Sequence, residues 1–297
     1  MDASFVRGVI PALVTPMMPD GALDRVGLIK LIDGTIQNGV HGVFTVGTAG
    51  EFWALSTDEK QQVYEWTVEA ASGRVPAYVG TSANSTHEAI ELAKLGQEAG
   101  ADCLSILTPS FITPTQEELF AHYAEIASAV TVPILLYNLP ARTGNTLAVD
   151  TVRRLAEMHD NIVGIKDSSG DFSQALEYIT GMPAGFRFVM GRDTLIAAGF
   201  EQGAAAAIAA TGNVAPDVGA AIFDAFERGD LDGARRYQVR LAPLRSLFTL
   251  GTHPAMLKAG AELVGFAGGP PRRPASPLSN AQMEILRGVL VKMGKLA

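Results

Sequence analysis

The stretch CLSILTPSFITPTQEELFAHYAEIASAVTVPILLYNLP, residues 103–140, decides the fold. Its two ends, 103–109 (CLSILTP) and 133–140 (PILLYNLP), are short apolar runs bounded by proline. Runs of that length and composition suit strands covered on both faces. Between them, 115–130 has the patterning of a helix and opens at Thr115, whose hydroxyl can cap the first free N–H groups. A strand, a helix and a second strand in this order read as a βα unit of a parallel sheet.

The same unit recurs in both directions. Further β-leaning runs lie at 8–16, 42–48, 76–82, 162–168, 186–191 and 204–211, which makes eight. Helical stretches include 57–72, 85–99 and 148–157, the first two opening at Ser56 or Thr57 and at Ser85. Gly39, Gly100 and Gly203 each close a helix just before the next run, in NGVHGV, AGADCL and QGAAAA. Eight units predict a (β/α)8 TIM barrel over residues 1–228. Residues 229–297 then form a C-terminal helical extension, with helices expected over 230–248, 253–264 and 279–294. Gly268–Pro277 (GGPPRRPASP) cannot be regular helix and reads as a surface linker. An open doubly wound sheet competes, but neither GxGxxG nor GxxxxGK[ST] occurs.

Composition narrows the function. The chain has 297 residues, 47% hydrophobic and 18% charged, which argues against a disordered protein. A net charge of −8 argues against a nucleic-acid partner and against docking on anionic lipid. No apolar run reaches the ~18 residues of a membrane span. The opening Met1-Asp2-Ala3 lacks a basic region, so no secretory signal is evident. One cysteine, Cys103, is compatible with a reducing cytoplasm, the expected location. The five histidines are scattered without HExxH spacing, so no metal site is expected.

One lysine is out of place. Of seven, only Lys166 interrupts a strand run, in Asn161-Ile-Val-Gly-Ile-Lys166. Desolvation there favours the free amine, a nucleophile towards ketones. The alternative is a lysine at a strand end that reaches back to solvent. Tyr137 lies near the end of the fifth run, and the loop Gly47-Thr48-Ala49-Gly50-Glu51 follows the second. In a barrel all strand ends face one mouth, so the three would converge. A phenol can shuttle protons for imine chemistry, and a loop of backbone N–H groups can cradle a carboxylate. Tyr137 could equally be a packing residue and the loop an ordinary turn. Arg142, in Pro140-Ala-Arg-Thr-Gly144, offers a planar fork for a second carboxylate or stands as a surface arginine.

Taken together, these segments resemble the dihydrodipicolinate synthase / N-acetylneuraminate lyase family of class I aldolases. The resemblance covers nearly the whole chain. It rests on Gly8-Val-Ile-Pro-Ala-Leu-Val-Thr-Pro16, Gly47-Thr-Ala-Gly-Glu51, Gly80-Thr-Ser-Ala-Asn-Ser-Thr86, Tyr137-Asn-Leu-Pro-Ala-Arg-Thr-Gly144, Gly164-Ile-Lys-Asp-Ser-Ser-Gly170 and Gly212-Asn-Val-Ala-Pro216. It implies a homotetramer built as a dimer of dimers. It also implies a cofactor-free, metal-free Schiff base between a lysine and pyruvate, with an aldehyde as the other substrate. By motif, Lys166 resembles the Schiff-base lysine, Tyr137 the proton-shuttling tyrosine and Thr48 the hydroxyl bonded to it. Thr48 and Ala49 resemble the keto-acid clamp, and Arg142 and Ile208 complete the implied substrate-binding set.

The RTG context of Arg142 is nearest the synthase branch, where such an arginine receives an aldehyde carboxylate. The leading expectation is therefore 4-hydroxy-tetrahydrodipicolinate synthase. Three departures qualify it. Ala49 replaces the second threonine of the loop, Ser110-Phe111 replaces a Tyr-Tyr pair, and Glu51-Phe52-Trp53 with Ser110 alters the residues of a lysine feedback pocket. Phe111 and Ala49 motivate the alternative, an aldolase or dehydratase of a 2-oxo-3-deoxy sugar acid. A keto-acid-binding barrel without turnover ranks behind both.

Overall fold

The computed structural model describes residues 1–296. Eight parallel strands form one sheet: β1 (Gly8–Pro11), β2 (Val43–Thr45), β3 (Ala77–Gly80), β4 (Cys103–Leu107), β5 (Ile134–Asn138), β6 (Ile162–Asp167), β7 (Arg187–Met190) and β8 (Ala206–Ala209). Each lies inside one of the eight sequence runs. The strand order is β1-β8-β7-β6-β5-β4-β3-β2. The two ends of that order meet where Ala12 bridges Phe44, and the Leu13 N–H donates to the Phe44 carbonyl at 2.8 Å. The sheet is therefore closed, and the fold is the predicted TIM barrel.

The helices begin where the sequence places their caps. Ser56, Ser85 and Thr115 each accept a backbone N–H at the start of Thr57–Ala71, Thr86–Glu98 and Gln116–Ala129. At the other end, Gly39, Gly100 and Gly203 take φ of 84°, 84° and 105°. Those left-handed turns aim the chain into the next strand at little steric cost to glycine.

After the helix Pro216–Glu227, three α-helices follow: Leu231–Ser246, Ala255–Leu263 and Asn280–Lys292. The segment between the last two corrects the reading of Gly268–Pro277 as a surface linker. It has no regular helix, but Gly268, Pro271 and Ala275 are buried. The Gly268 carbonyl accepts from the Met17 N–H, and the Arg272 guanidinium binds Glu59, with its NH1 2.7 Å from Oε2. Proline removes helix without removing packing, because its ring still buries apolar area. Among the described residues no helix is long and apolar enough to cross a membrane.

Candidate active site

The pleat and the register place the two central residues. Tyr137 on β5 and Lys166 on β6 are Cα partners, so their side chains leave the sheet on the same face. Both are 4% exposed. The Lys166 Nζ lies 4.0 Å from the centroid of the Tyr137 ring and 5.0 Å from that of Phe44 on β2. Lys166 is thus walled by two aromatic rings, not snorkelling to solvent. Ring faces attract cations.

The register is pinned at the strand ends. Asn138 donates from Nδ2 to Asp167 Oδ1 at 2.7 Å and accepts the Leu147 N–H on Oδ1 at 3.1 Å. Asp167 also accepts the Ser169 hydroxyl at 2.7 Å. Burial raises its carboxyl above the usual range, while the Ser169 and Asn138 hydrogen bonds oppose that shift. Asp171 instead caps the helix Phe172–Gly181, accepting from the Ser173 and Gln174 N–H groups.

The loop after β2 supplies the third member. The Thr48 hydroxyl lies 3.4 Å from the Tyr137 hydroxyl. Among the described residues, no protein acceptor takes the Thr48 or Ala49 N–H. The loop is bracketed by two residues in left-handed backbone, Val46 at φ 54° and Glu51 at φ 57°. For a β-branched residue such as Val46 that conformation is strained by about 1–3 kcal/mol. Gly80 makes room for it, since a Cβ there would collide with the Val46 carbonyl oxygen.

Glu51 shows what holds the loop. Its side chain is fully buried and lies 2.6 Å from the ammonium of Lys258, itself 1% exposed. Glu51 Oε2 accepts the Arg272 N–H at 2.8 Å, and Lys258 donates to the Pro270 carbonyl at 2.9 Å. Burial lowers the Lys258 ammonium below its ordinary range, and the Glu51 charge opposes that. The C-terminal extension therefore anchors the loop from behind.

All six predicted site residues, Lys166, Tyr137, Thr48, Ala49, Arg142 and Ile208, line one cleft at the C-terminal ends of the strands. Arg142 is mostly exposed, on the short helix Pro140–Thr143 after β5. The cleft also takes in residues that the sequence does not single out: Arg192 and Asp193 after β7, and Arg245, Phe248 and His253 from the extension. Burial, then Arg142, Arg245 and Lys166, push His253 down to about 4, so its imidazole is neutral at pH 7. No local pattern marks these residues. The only signal is the Gly191-Arg192-Asp193 position at the end of a barrel strand.

The comparisons with known proteins agree with this architecture. A family model described as the dihydrodipicolinate synthetase family matches residues 5–292. The chain belongs to the dihydrodipicolinate synthetase family. Members of it are named as synthase enzymes, and this chain is an enzyme of that Schiff-base-forming lyase group. One relative, the 4-hydroxy-tetrahydrodipicolinate synthase of Methanopyrus kandleri, is 40% identical over 98% of this chain and 97% of its own length. The chloride-inhibited dihydrodipicolinate synthase from Acinetobacter baumannii, solved with pyruvate, superposes with a TM-score of 0.93 at 37% identity, covering 98% of this chain and 100% of that one. YagE, a prophage member of the dihydrodipicolinic acid synthase family from E. coli K12, also solved with pyruvate, gives 0.94 at 31% identity over 97% of this chain and 98% of its own.

Proposed function

We propose that this enzyme forms a Schiff base between Lys166 and pyruvate and joins it to, or releases it from, an aldehyde bearing a carboxylate. The 4-hydroxy-tetrahydrodipicolinate synthase reaction is the leading case. One observation carries the reading: the Lys166 amine and the Tyr137 phenol are register partners, with the Thr48 hydroxyl in reach of the phenol.

The chemistry follows from the placement. The Lys166 amine adds to the C2 carbonyl of pyruvate, and loss of water leaves an iminium. The Tyr137 and Phe44 ring faces favour that cation. The free Thr48 and Ala49 N–H groups receive the pyruvate carboxylate. Loss of a C3 proton gives an enamine, whose C3 attacks the aldehyde carbon while the aldehyde oxygen takes up a proton. Tyr137, with Thr48, carries the protons in these steps. Water then hydrolyses the product iminium and frees Lys166. Arg142 is suited to bind the aldehyde carboxylate, and Ile208 on β8 packs beside the keto acid.

A second reading, aldol cleavage or dehydration of a 2-oxo-3-deoxy sugar acid, is favoured by the fate of the relay. Phe111 is 98% exposed and brings no hydroxyl, so among the described residues Tyr137 has only Thr48 as a relay partner. We further infer a cytoplasmic homotetramer, a dimer of dimers. The exposed Phe111 and Ile112 support it as apolar surface that a second copy would cover. Residues 1–228 and 229–297 act as one catalytic unit, because Lys258 and Arg272 of the extension hold the Glu51 loop.

The test is borohydride reduction with and without pyruvate, followed by peptide mass spectrometry. A pyruvate-dependent adduct on the Lys166 peptide is expected, absent in Lys166→Ala. Folded protein that gives no adduct overturns the reading. Pyruvate release or water loss from a 2-oxo-3-deoxy sugar acid separates the second reading from the first.

A further inference from the structure

His253 comes from the C-terminal extension, yet it faces the reacting groups. It lines the cleft of Lys166 and Tyr137, and also an adjoining recess walled by Phe52, Trp53 and Leu107. Among the described residues, only Thr48, Arg142 and His253 belong to both. Two of the three have a partner or a role. The Thr48 hydroxyl lies 3.4 Å from that of Tyr137, and Arg142 is suited to the acceptor carboxylate. Neither ring nitrogen of His253 takes part in a hydrogen bond or an ion pair among the described residues, and neither is sealed from the cleft.

The ring is supported from behind. The Phe248 ring stands 5.9 Å from it, centroid to centroid, and carries the Arg245 guanidinium 4.3 Å from its own centroid. Arg245 is in turn ion-paired with Asp193, with 3.8 Å from Nε to Oδ2. The other Asp193 oxygen accepts the Thr211 N–H and hydroxyl, and the Ser168 hydroxyl donates to the Gly191 carbonyl at 3.1 Å. Arg192 lines the cleft but not the recess. The charges that act on the imidazole are Arg142, Arg245 and Lys166, all cationic, and burial works in the same direction. Together they keep it neutral at pH 7. A neutral imidazole offers one N–H donor and one bare nitrogen.

An acceptor must reach from Arg142 to the enamine on Lys166, and both of these residues act on His253. As the enamine C3 bonds to the aldehyde carbon, the carbonyl electron pair moves onto oxygen. That oxygen needs a donor while its charge grows. We propose that His253 is a further catalytic residue, whose ring N–H binds the acceptor's aldehyde oxygen and stabilises the negative charge it gains as the carbon–carbon bond forms. His253 keeps its proton throughout. The oxygen is protonated by Tyr137, which has gained a proton from C3. Neutral imidazoles act as such electrophiles where their surroundings keep the second proton off. The inference rests on the Schiff-base reading and adds the acceptor half of the same site.

The experiment reads the two halves of the reaction separately. Exchange of the pyruvate C3 protons in deuterated water, followed by proton NMR, reports imine and enamine formation with no acceptor present. Turnover with L-aspartate semialdehyde reports the second half. If the parent instead releases pyruvate from 2-oxo-3-deoxygluconate, the comparison is made on that release, because cleavage passes the same transition state in reverse. A parent enzyme without exchange overturns the Schiff-base reading, and this inference falls with it. A parent that exchanges but turns over neither compound overturns this inference alone.

His253→Leu should lower kcat by about 10²-fold, the scale of one lost oxyanion donor, and slow exchange far less. His253→Asn and His253→Gln each place an amide N–H near one of the two ring nitrogens. One of them should regain about 10-fold in kcat, the worth of a hydrogen bond, and which one does so identifies the donating nitrogen. Because the donor is neutral, that variant and the parent should share one pH profile of kcat between about pH 5 and pH 8. Equal losses of exchange and turnover in His253→Leu, a parent-like kcat in that variant, or no recovery in either amide variant would overturn the proposal. So would a step near the ordinary imidazole value of 6.5 that only the parent shows.

Discussion

Lys166 and Tyr137 stand opposite each other on β6 and β5, and the lysine nitrogen sits 4.0 Å above the centre of the phenol ring. Because parallel pairing sets this, no loop movement is needed to bring amine and phenol together. The separation is a property of the barrel. The Thr48 hydroxyl comes from a loop and is less tightly placed, at 3.4 Å from the phenol oxygen.

That difference predicts a ranking. Tyr137→Phe keeps the ring beside Lys166 and removes only the hydroxyl. It should lower kcat by about 10²-fold or more, the scale of a lost proton-transfer group, with little change in the KM for pyruvate. Thr48→Val should cost less, because it removes the partner of the phenol and not the phenol. Steady-state kinetics with pyruvate varied decides it. A Tyr137→Phe enzyme with wild-type kcat would remove the phenol from the mechanism.

The Glu51–Lys258 pair predicts a stability effect far along the chain from the reacting groups. Lys258→Met leaves the Glu51 carboxylate buried without its counter-charge, which should cost about 3–5 kcal/mol. Glu51→Gln combined with Lys258→Met removes both charges and should recover part of that loss. Urea midpoints of the two single variants and the double variant measure the coupling. Additive losses would show that the two groups act independently.

Gly80 predicts damage at the loop from a substitution on a neighbouring strand. In Gly80→Ala the new methyl collides with the Val46 carbonyl and crowds the Gly47 N–H. The loop must shift to relieve it, so the KM for pyruvate should rise several-fold and the melting temperature should fall. Unchanged values for both would mean that Val46 has room the structure does not show.

His122 predicts acid sensitivity. It is 7% exposed, its Nδ1 is 2.9 Å from the Thr86 hydroxyl, and its Nε2 has no partner among the described residues. Burial pushes it down from 6.5 to about 4. The unfolded chain therefore binds this proton more readily than the folded one. The stability is complete above pH 6.5 and is lost as the pH falls towards about 4, by roughly 3 kcal/mol in all. Urea midpoints taken between those limits should decline less in His122→Leu than in the parent protein. Parallel decline in the two would assign the acid sensitivity elsewhere.

Much of this is legible in the chain. Each barrel strand falls inside an apolar run, and the caps at Ser56, Ser85 and Thr115 and the glycines at 39, 100 and 203 stand where local chemistry requires them. Given a barrel, Lys166, Tyr137 and Thr48 have to face one mouth. The Pro-rich segment misleads because proline content speaks to helix, and not to burial.

By itself, then, the sequence determined the eight-unit architecture, the lone strand lysine and the residues that meet it, because hydrophobic period, capping and turn chemistry act over a few neighbouring residues. Only the tertiary structure decided that Glu51 is held by Lys258, that Gly268–Pro277 packs against the barrel, and that Arg192 and Arg245 join Arg142 over Lys166. Those contacts link residues tens to hundreds apart. They exist because closing the barrel and folding the extension back over its mouth bring charges together whose spacing along the chain has no period to read.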